Sequence, residues 1–100
     1  MGEALPPSGT ADFEIGPIRD HTSDDHRDLF VEGTVRNTGT RASRDVTVWV
    51  EGLDKNGTRV AEAEALPMPQ EIPPGTVGSF VVRLPNNPTI KTFHVEAIGR

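Results

Sequence analysis

The 100-residue chain has no cysteine and no tyrosine. Without cysteine there are no disulfides, thiolate metal sites or sulfur nucleophiles. Without either residue there is neither the inter-sheet disulfide nor the tyrosine corner of an antibody-type domain. Aromatic residues make up 5% of the chain and apolar residues 34%, which predicts a thin core of Val, Ile, Leu, Ala and Phe. No run of about 18 apolar residues occurs, so no membrane-spanning helix or membrane insertion is expected. The opening Met1-Gly-Glu-Ala-Leu-Pro-Pro lacks the basic and apolar segments of a signal peptide. Pro6 stands where a myristoylation signal wants Ser or Thr. Lys and Arg are scattered, whereas nucleic-acid binding needs clustered cations to displace counterions; no nucleic-acid partner is expected.

Turn-forming residues are plentiful, with Gly 10 and Pro 9. The net charge of −5 is local: residues 1–28 carry seven acids against Arg19 and Arg27, and the remainder is balanced. Residues 1–10 read as a flexible lead-in or linker. Residues 11–100 have the length of one small domain.

From Asp12 onward, apolar residues recur with period two, the repeat of a half-buried strand. Phe13 and Ile15 form a short edge strand that Gly16-Pro17 interrupts. Asp20–Asp28 reads as a wholly polar loop. Leu29–Arg36 places Leu29, Val31, Gly33 and Val35 on one face. Asn37-Thr-Gly39 is turn chemistry. Val46, Val48 and Val50 then share a face, with Thr47, Trp49 and Glu51 opposite. Asp54-Lys-Asn-Gly57 supplies a hairpin turn. Thr58–Ala65 reads as the returning strand, although Ala-Glu-Ala-Glu-Ala-Leu is also helix-forming material. Leu66–Gly75 is a proline-studded crossing between sheets. Thr76–Leu84 is a strand with Phe80, Val82 and Leu84 inward, and Pro85-Asn-Asn-Pro88 turns the chain. Ile90–Ile98 closes with Phe93, Val95 and Ala97 inward and His94, Glu96 and Ile98 outward. The expected fold is all-β: an immunoglobulin-like antiparallel β-sandwich of six to seven strands, of Greek-key type.

Several stretches carry a family resemblance. Val31-Glu-Gly-Thr-Val-Arg-Asn-Thr-Gly39, Val46-Thr-Val-Trp-Val50, Leu53-Asp54, Asn56-Gly57, Ile72-Pro-Pro-Gly75 and Phe80 together resemble the FxLYD domain family, over about residues 29–84. That family carries a V-x-G-x-V-x-N-x-G pattern, a V-x-V strand, an aspartate-glycine turn, and a Pro-Gly before a Phe-containing strand. At the motif that gives the family its name, this chain reads Val50-Glu-Gly-Leu-Asp54 and keeps the aspartate. The bacterial CARDB adhesion-type domain is a second resemblance. Both imply an immunoglobulin-like prokaryotic accessory module, often extracytoplasmic and without catalytic residues. The expectation is a non-enzymatic unit without cofactor, spacing domains or contacting a protein or cell-surface ligand.

The densest polar cluster is Asp20-His21-Thr-Ser-Asp24-Asp25-His26-Arg-Asp28. Asp20, Asp24, Asp25 and Asp28 are candidate metal ligands by residue type, but calcium-loop spacing is missing and a solvated loop is the plainer reading. Ser23, His26 and a neighbouring Asp have the residue types of a hydrolase triad without a Gly-x-Ser-x-Gly elbow. Asn56-Gly-Thr58 is a glycosylation sequon that also serves as turn chemistry. Trp49, the single tryptophan, points away from the valine face. If its strand neighbours the last one, Trp49, His94 and Ile98 share a solvent face and form a candidate protein-contact site. The alternative is that Asp20–Asp28 or the proline segment covers the indole. A second functional reading is a carbohydrate- or metal-assisted adhesion module that combines the acidic 20–28 loop with Trp49.

Overall fold

The computed structural model describes residues 12–99. The expected lead-in over residues 1–10 lies outside them. The described chain is all-β, with seven strands: β1 (Phe13–Ile15), β2 (Arg19–Thr22), β3 (Asp28–Asn37), β4 (Thr47–Leu53), β5 (Arg59–Ala65), β6 (Val77–Pro85) and β7 (Thr92–Ile98). They form two antiparallel sheets.

In the first sheet β3 is central. It pairs with β6 from Asp28↔Pro85 to Arg36↔Val77. Its other edge is shared by β1, opposite Val35–Asn37, and β2, opposite Leu29–Glu32. Gly16-Pro17 separates the two short strands, because proline cannot donate to the ladder. The second sheet has the order β5-β4-β7. Leu29, Val31 and Val35 of β3, Val48 and Val50 of β4, and Phe80, Val82 and Leu84 of β6 are buried between the sheets. Successive side chains leave a strand on opposite sides, so the alternation that sorts these residues inward sends their neighbours to solvent. Gly33 faces this core. A Cβ there would lie 3.0 Å from both Ile18 and Phe80, closer than ordinary van der Waals contact, so the glycine lets those side chains pack tightly on β3.

Two expectations change. Asp20–Asp28 is not wholly loop: Arg19–Thr22 forms β2, and a turn over 23–27 joins it to β3. This strand has no apolar alternation because all four of its residues are exposed. It is held by pairing to β3 and by the stacking of His21 on Phe30, with ring centroids 5.2 Å apart. The last strand begins at Thr92, not Ile90. The Ile90 N–H closes a turn onto Asn87 O at 3.1 Å, and its side chain occupies the space that a Cβ on Gly52 would need. Arg59–Ala65 is a strand, paired to β4 through Ala63↔Val50 and Glu64↔Trp49.

The crossings are anchored rather than loose. Asn37 is fully buried at the end of β3. Its Nδ2 donates to Arg41 O and Ile72 O, each at 2.8 Å, and its Oδ1 accepts from Gly39 N–H at 2.9 Å. Its main-chain oxygen accepts from Gly75 N–H at 2.8 Å. Ile72, inside the proline segment, is also fully buried and pairs with Ser43. Pro73–Thr76 closes a turn with Gly75 at φ +76°, the third-position glycine of a type II turn. Asn37 and Ile72-Pro-Pro-Gly75, far apart in sequence, therefore form one hydrogen-bonded unit.

Candidate functional site

The outer face of the three-stranded sheet gathers the residues singled out in sequence. β4 and β7 are paired, with Trp49 opposite Glu96, Glu51 opposite His94 and Thr47 opposite Ile98. His94 and Ile98 are thus the diagonal neighbours of Trp49 on one face, within reach of a large ring. On the other side Trp49 faces Glu64 and Glu51 faces Glu62. Leu66 continues the outward alternation of β5 one residue past its end and is 60% exposed; Ile98 is 62% exposed. The face therefore presents apolar Leu66, Trp49 and Ile98 toward one end and a band of glutamates across its middle. A hollow of about 430 Å³ lies beside them, lined by Asp45, Thr47, Glu64, Ile98 and Gly99.

The band is acidic on balance. Arg59 pairs with Glu62 at 2.8 Å and with Glu51 at 3.3 Å. His94 Nε2 lies 3.1 Å from Glu96 Oε1. Glu64 has no basic partner among the described residues. Exposed pairs of this kind contribute little to stability; their consequence is the charge they leave on the face. Trp49 is half-buried among these groups. Of the two covers considered from sequence, only Leu66, the first residue of the proline segment, reaches this face. Arg19–Thr22 belongs to the first sheet, on the far side of the core, and the proline segment bridges to Ser79 and Ser43. Leu66, Glu64 and Glu96 were not singled out beforehand. Their signal was the same period-two alternation that exposed Trp49, but it needed the strand register to place them around it.

The 20–28 stretch has a different geometry. Ser23 Oγ donates to Asp25 Oδ1 at 2.6 Å and accepts from Asp28 N–H at 3.1 Å. Arg27 N–H also donates to Asp25, at 3.0 Å. The Ser23 hydroxyl and then the Arg27 amide hold the Asp25 carboxyl below its ordinary value of 3.8. His26 touches Ser23 only through backbone, N–H to O at 2.9 Å, with φ +60°. Ser23 is thus engaged by a carboxylate and not by an imidazole, so the residue types of a triad do not assume its geometry. Asp20, Asp24, Asp25 and Asp28 do not form a metal-ligating group: among the described residues, no three His, Asp or Glu side chains converge as one. The stretch and Trp49 lie on different sheets and make no common site. Asn56 sits in an exposed turn in which Asp54 Oδ1 accepts from Asn56 and Thr58 N–H, with Gly57 at φ +80°. Among the described residues no helix is long and apolar enough to cross a membrane.

No protein-family model matches the chain, and no curated protein matches it. Among solved structures it is similar to the crystal structure of Campylobacter jejuni cj0090, with 20% sequence identity and a TM-score of 0.46 over 99% of this chain and 94% of that one.

Proposed function

We propose that the chain is a non-catalytic, immunoglobulin-like β-sandwich module of a larger prokaryotic protein, which contacts a protein partner through the outer face of its three-stranded sheet. The observation that carries this reading is Trp49, half-buried on the central strand of the outer face, with exposed Leu66 and Ile98 near it and Glu64 and Glu96 on either side. Tryptophan beside aliphatic residues, rimmed by charge, is the composition of an interface centre. The glutamates set the partner's chemistry. A surface bearing Lys or Arg would find carboxylates for its charge and an indole face for cation–π contact.

The family reading belongs here too. The union of Asn37 with Ile72-Pro-Pro-Gly75 gives the separated parts of the FxLYD-like pattern a shared structural purpose, which supports kinship with that family or with CARDB domains. An extracytoplasmic location follows from that kinship alone. The adhesion reading that joins the 20–28 loop to Trp49 has no geometric support, since the two lie on different sheets.

Pull-down from a cell-envelope fraction with wild type, Trp49→Ala and Glu64→Lys/Glu96→Lys tests the reading. All three should be equally folded by circular dichroism. A partner retained by wild type should be lost by both variants, and its capture should weaken as salt rises. Equal recovery by wild type and Trp49→Ala sinks the proposal.

A further inference from the structure

We propose that β7 pairs, antiparallel and about a twofold axis at Val95, with β7 of a second copy of this chain, joining two three-stranded sheets into one of six strands. The inference rests on the edge of the sheet and stands whether or not the outer face binds a partner.

Unpaired strand edges are usually protected by proline, lysine, bulges or cover. The other edges here show such devices. β1 ends at Gly16-Pro17, and β2 is short and polar. The edge of β6 is crossed by the Met68↔Ser79 bridge and ends in Pro85. β5 lies along a register shift at Gly52/Leu53 and packs against β6. By contrast β7, Thr92-Phe-His-Val-Glu-Ala-Ile98, has no proline, lysine or register shift over seven residues. Its inward side chains Phe93, Val95 and Ala97 are only partly buried, whereas Val48 and Val50 on the adjacent strand are fully so. Among the described residues β1 approaches this edge from the opposite sheet, but no strand pairs with it. A hollow of about 460 Å³ runs beside it, lined in part by Phe13, Ile15, Val95 and Ala97.

The sequence of β7 selects a register with itself. Antiparallel partners share a face, so a twofold axis must pass through a residue position. Centred on Val95, all seven residues pair. His94 then stands opposite Glu96 of the other copy, and Glu96 opposite its His94. Phe93 stands opposite Ala97, so each large ring meets a small residue beside the apolar hollow. A shift to centre on Glu96 would set two carboxylates face to face, and a shift to His94 would set two imidazoles so; either shortens the overlap. A twofold contact of this kind is self-complementary and closes at the dimer. Its area is small, so the dimer should dissociate on dilution.

Sedimentation velocity on the intact chain from about 10 μM to about 1 mM should show a monomer–dimer equilibrium, the range of a weak contact. His94→Glu places like charges opposite one another twice per dimer and should weaken association roughly tenfold. The exchanged variant His94→Glu/Glu96→His restores opposite pairs and should recover the dimer. The chain has no cysteine, so introduced thiols report register directly. Under mild oxidation a mixture of His94→Cys and Glu96→Cys proteins should cross-link between the two variants in preference to within either. A monomer throughout the range overturns the proposal. So does a dimer that survives His94→Glu unchanged, or one lost in Trp49→Ala while His94→Glu retains it. His94 and Glu96 are exposed, so loss of fold is not expected on substituting them; melting curves check every variant, Trp49→Ala included.

Discussion

At the scale of single residues, Asn37 ties the end of β3 to the segments at Arg41 and Ile72. It is buried, and its amide group holds Arg41 O, Ile72 O and Gly39 N–H at once. Asn37→Asp keeps the shape and the acceptor but removes both donations, leaving a carboxylate beside two carbonyl oxygens. Loss of about 3 kcal/mol or more is expected, read by urea denaturation, because buried polar groups without partners are costly. A change within experimental error would show that the staple is redundant. Asp25 lies at the other extreme, fully exposed. Its pKa is lowered chiefly by the Ser23 hydroxyl, then by Arg27 N–H. A depressed folded value means that the turn is supported above the ordinary carboxylate range and loses that support as pH falls through the folded pKa. Ser23→Ala should move the Asp25 midpoint upward in an NMR titration of the carboxyl carbon. An unmoved midpoint would remove Ser23 as the cause.

At the scale of elements, the inner and outer faces of the three-stranded sheet should respond differently. Val50→Ala leaves a hole in a fully buried site and should cost about 2 kcal/mol. Ile98→Ala on the outer face should change stability by less than about 0.5 kcal/mol. Ile72→Ala should behave like a core strand residue, at about 2–5 kcal/mol, although it sits between prolines in an irregular crossing. The set is checked by equilibrium unfolding with a common slope. A costly Ile98→Ala would mean that the outer face is packed against something. The polar strand β2 makes the complementary point: its sequence carries no strand pattern, and it pairs because β3 offers an edge there.

At the scale of the molecule, the two outer surfaces differ in character. The four-stranded sheet mixes Arg19, Arg36 and Arg83 with Glu14 and Glu32, whereas the three-stranded sheet carries Glu51, Glu62, Glu64 and Glu96 against Arg59. The overall acidity noted in residues 1–28 therefore misdirects: a second acidic surface lies in the balanced body of the chain and appears only when strands are set side by side. With Trp49 half-buried rather than fully enclosed, acrylamide should quench the indole emission of the free protein. Added partner should then reduce that quenching, as burial of the interface centre requires. Emission that resists quenching in the monomer would mean an internal cover.

What the sequence by itself determined is which way the side chains of the apolar strands face. Val46, Val48, Val50, Phe80, Val82 and Leu84 were legible as core and Trp49, His94 and Ile98 as surface, because the strand period is a local property of the backbone. The turn at Asp54–Gly57 was legible for a local reason too: the positive φ of Gly57 selects glycine wherever the residues lie. Only the tertiary structure decided which outward residues are neighbours. The setting of Trp49 between Glu64 and Glu96, the junction of Asn37 with Ile72, and the edge position of β7 all depend on pairing between segments distant in sequence. No local period encodes that pairing; it is settled by which apolar faces bury one another when the two sheets close.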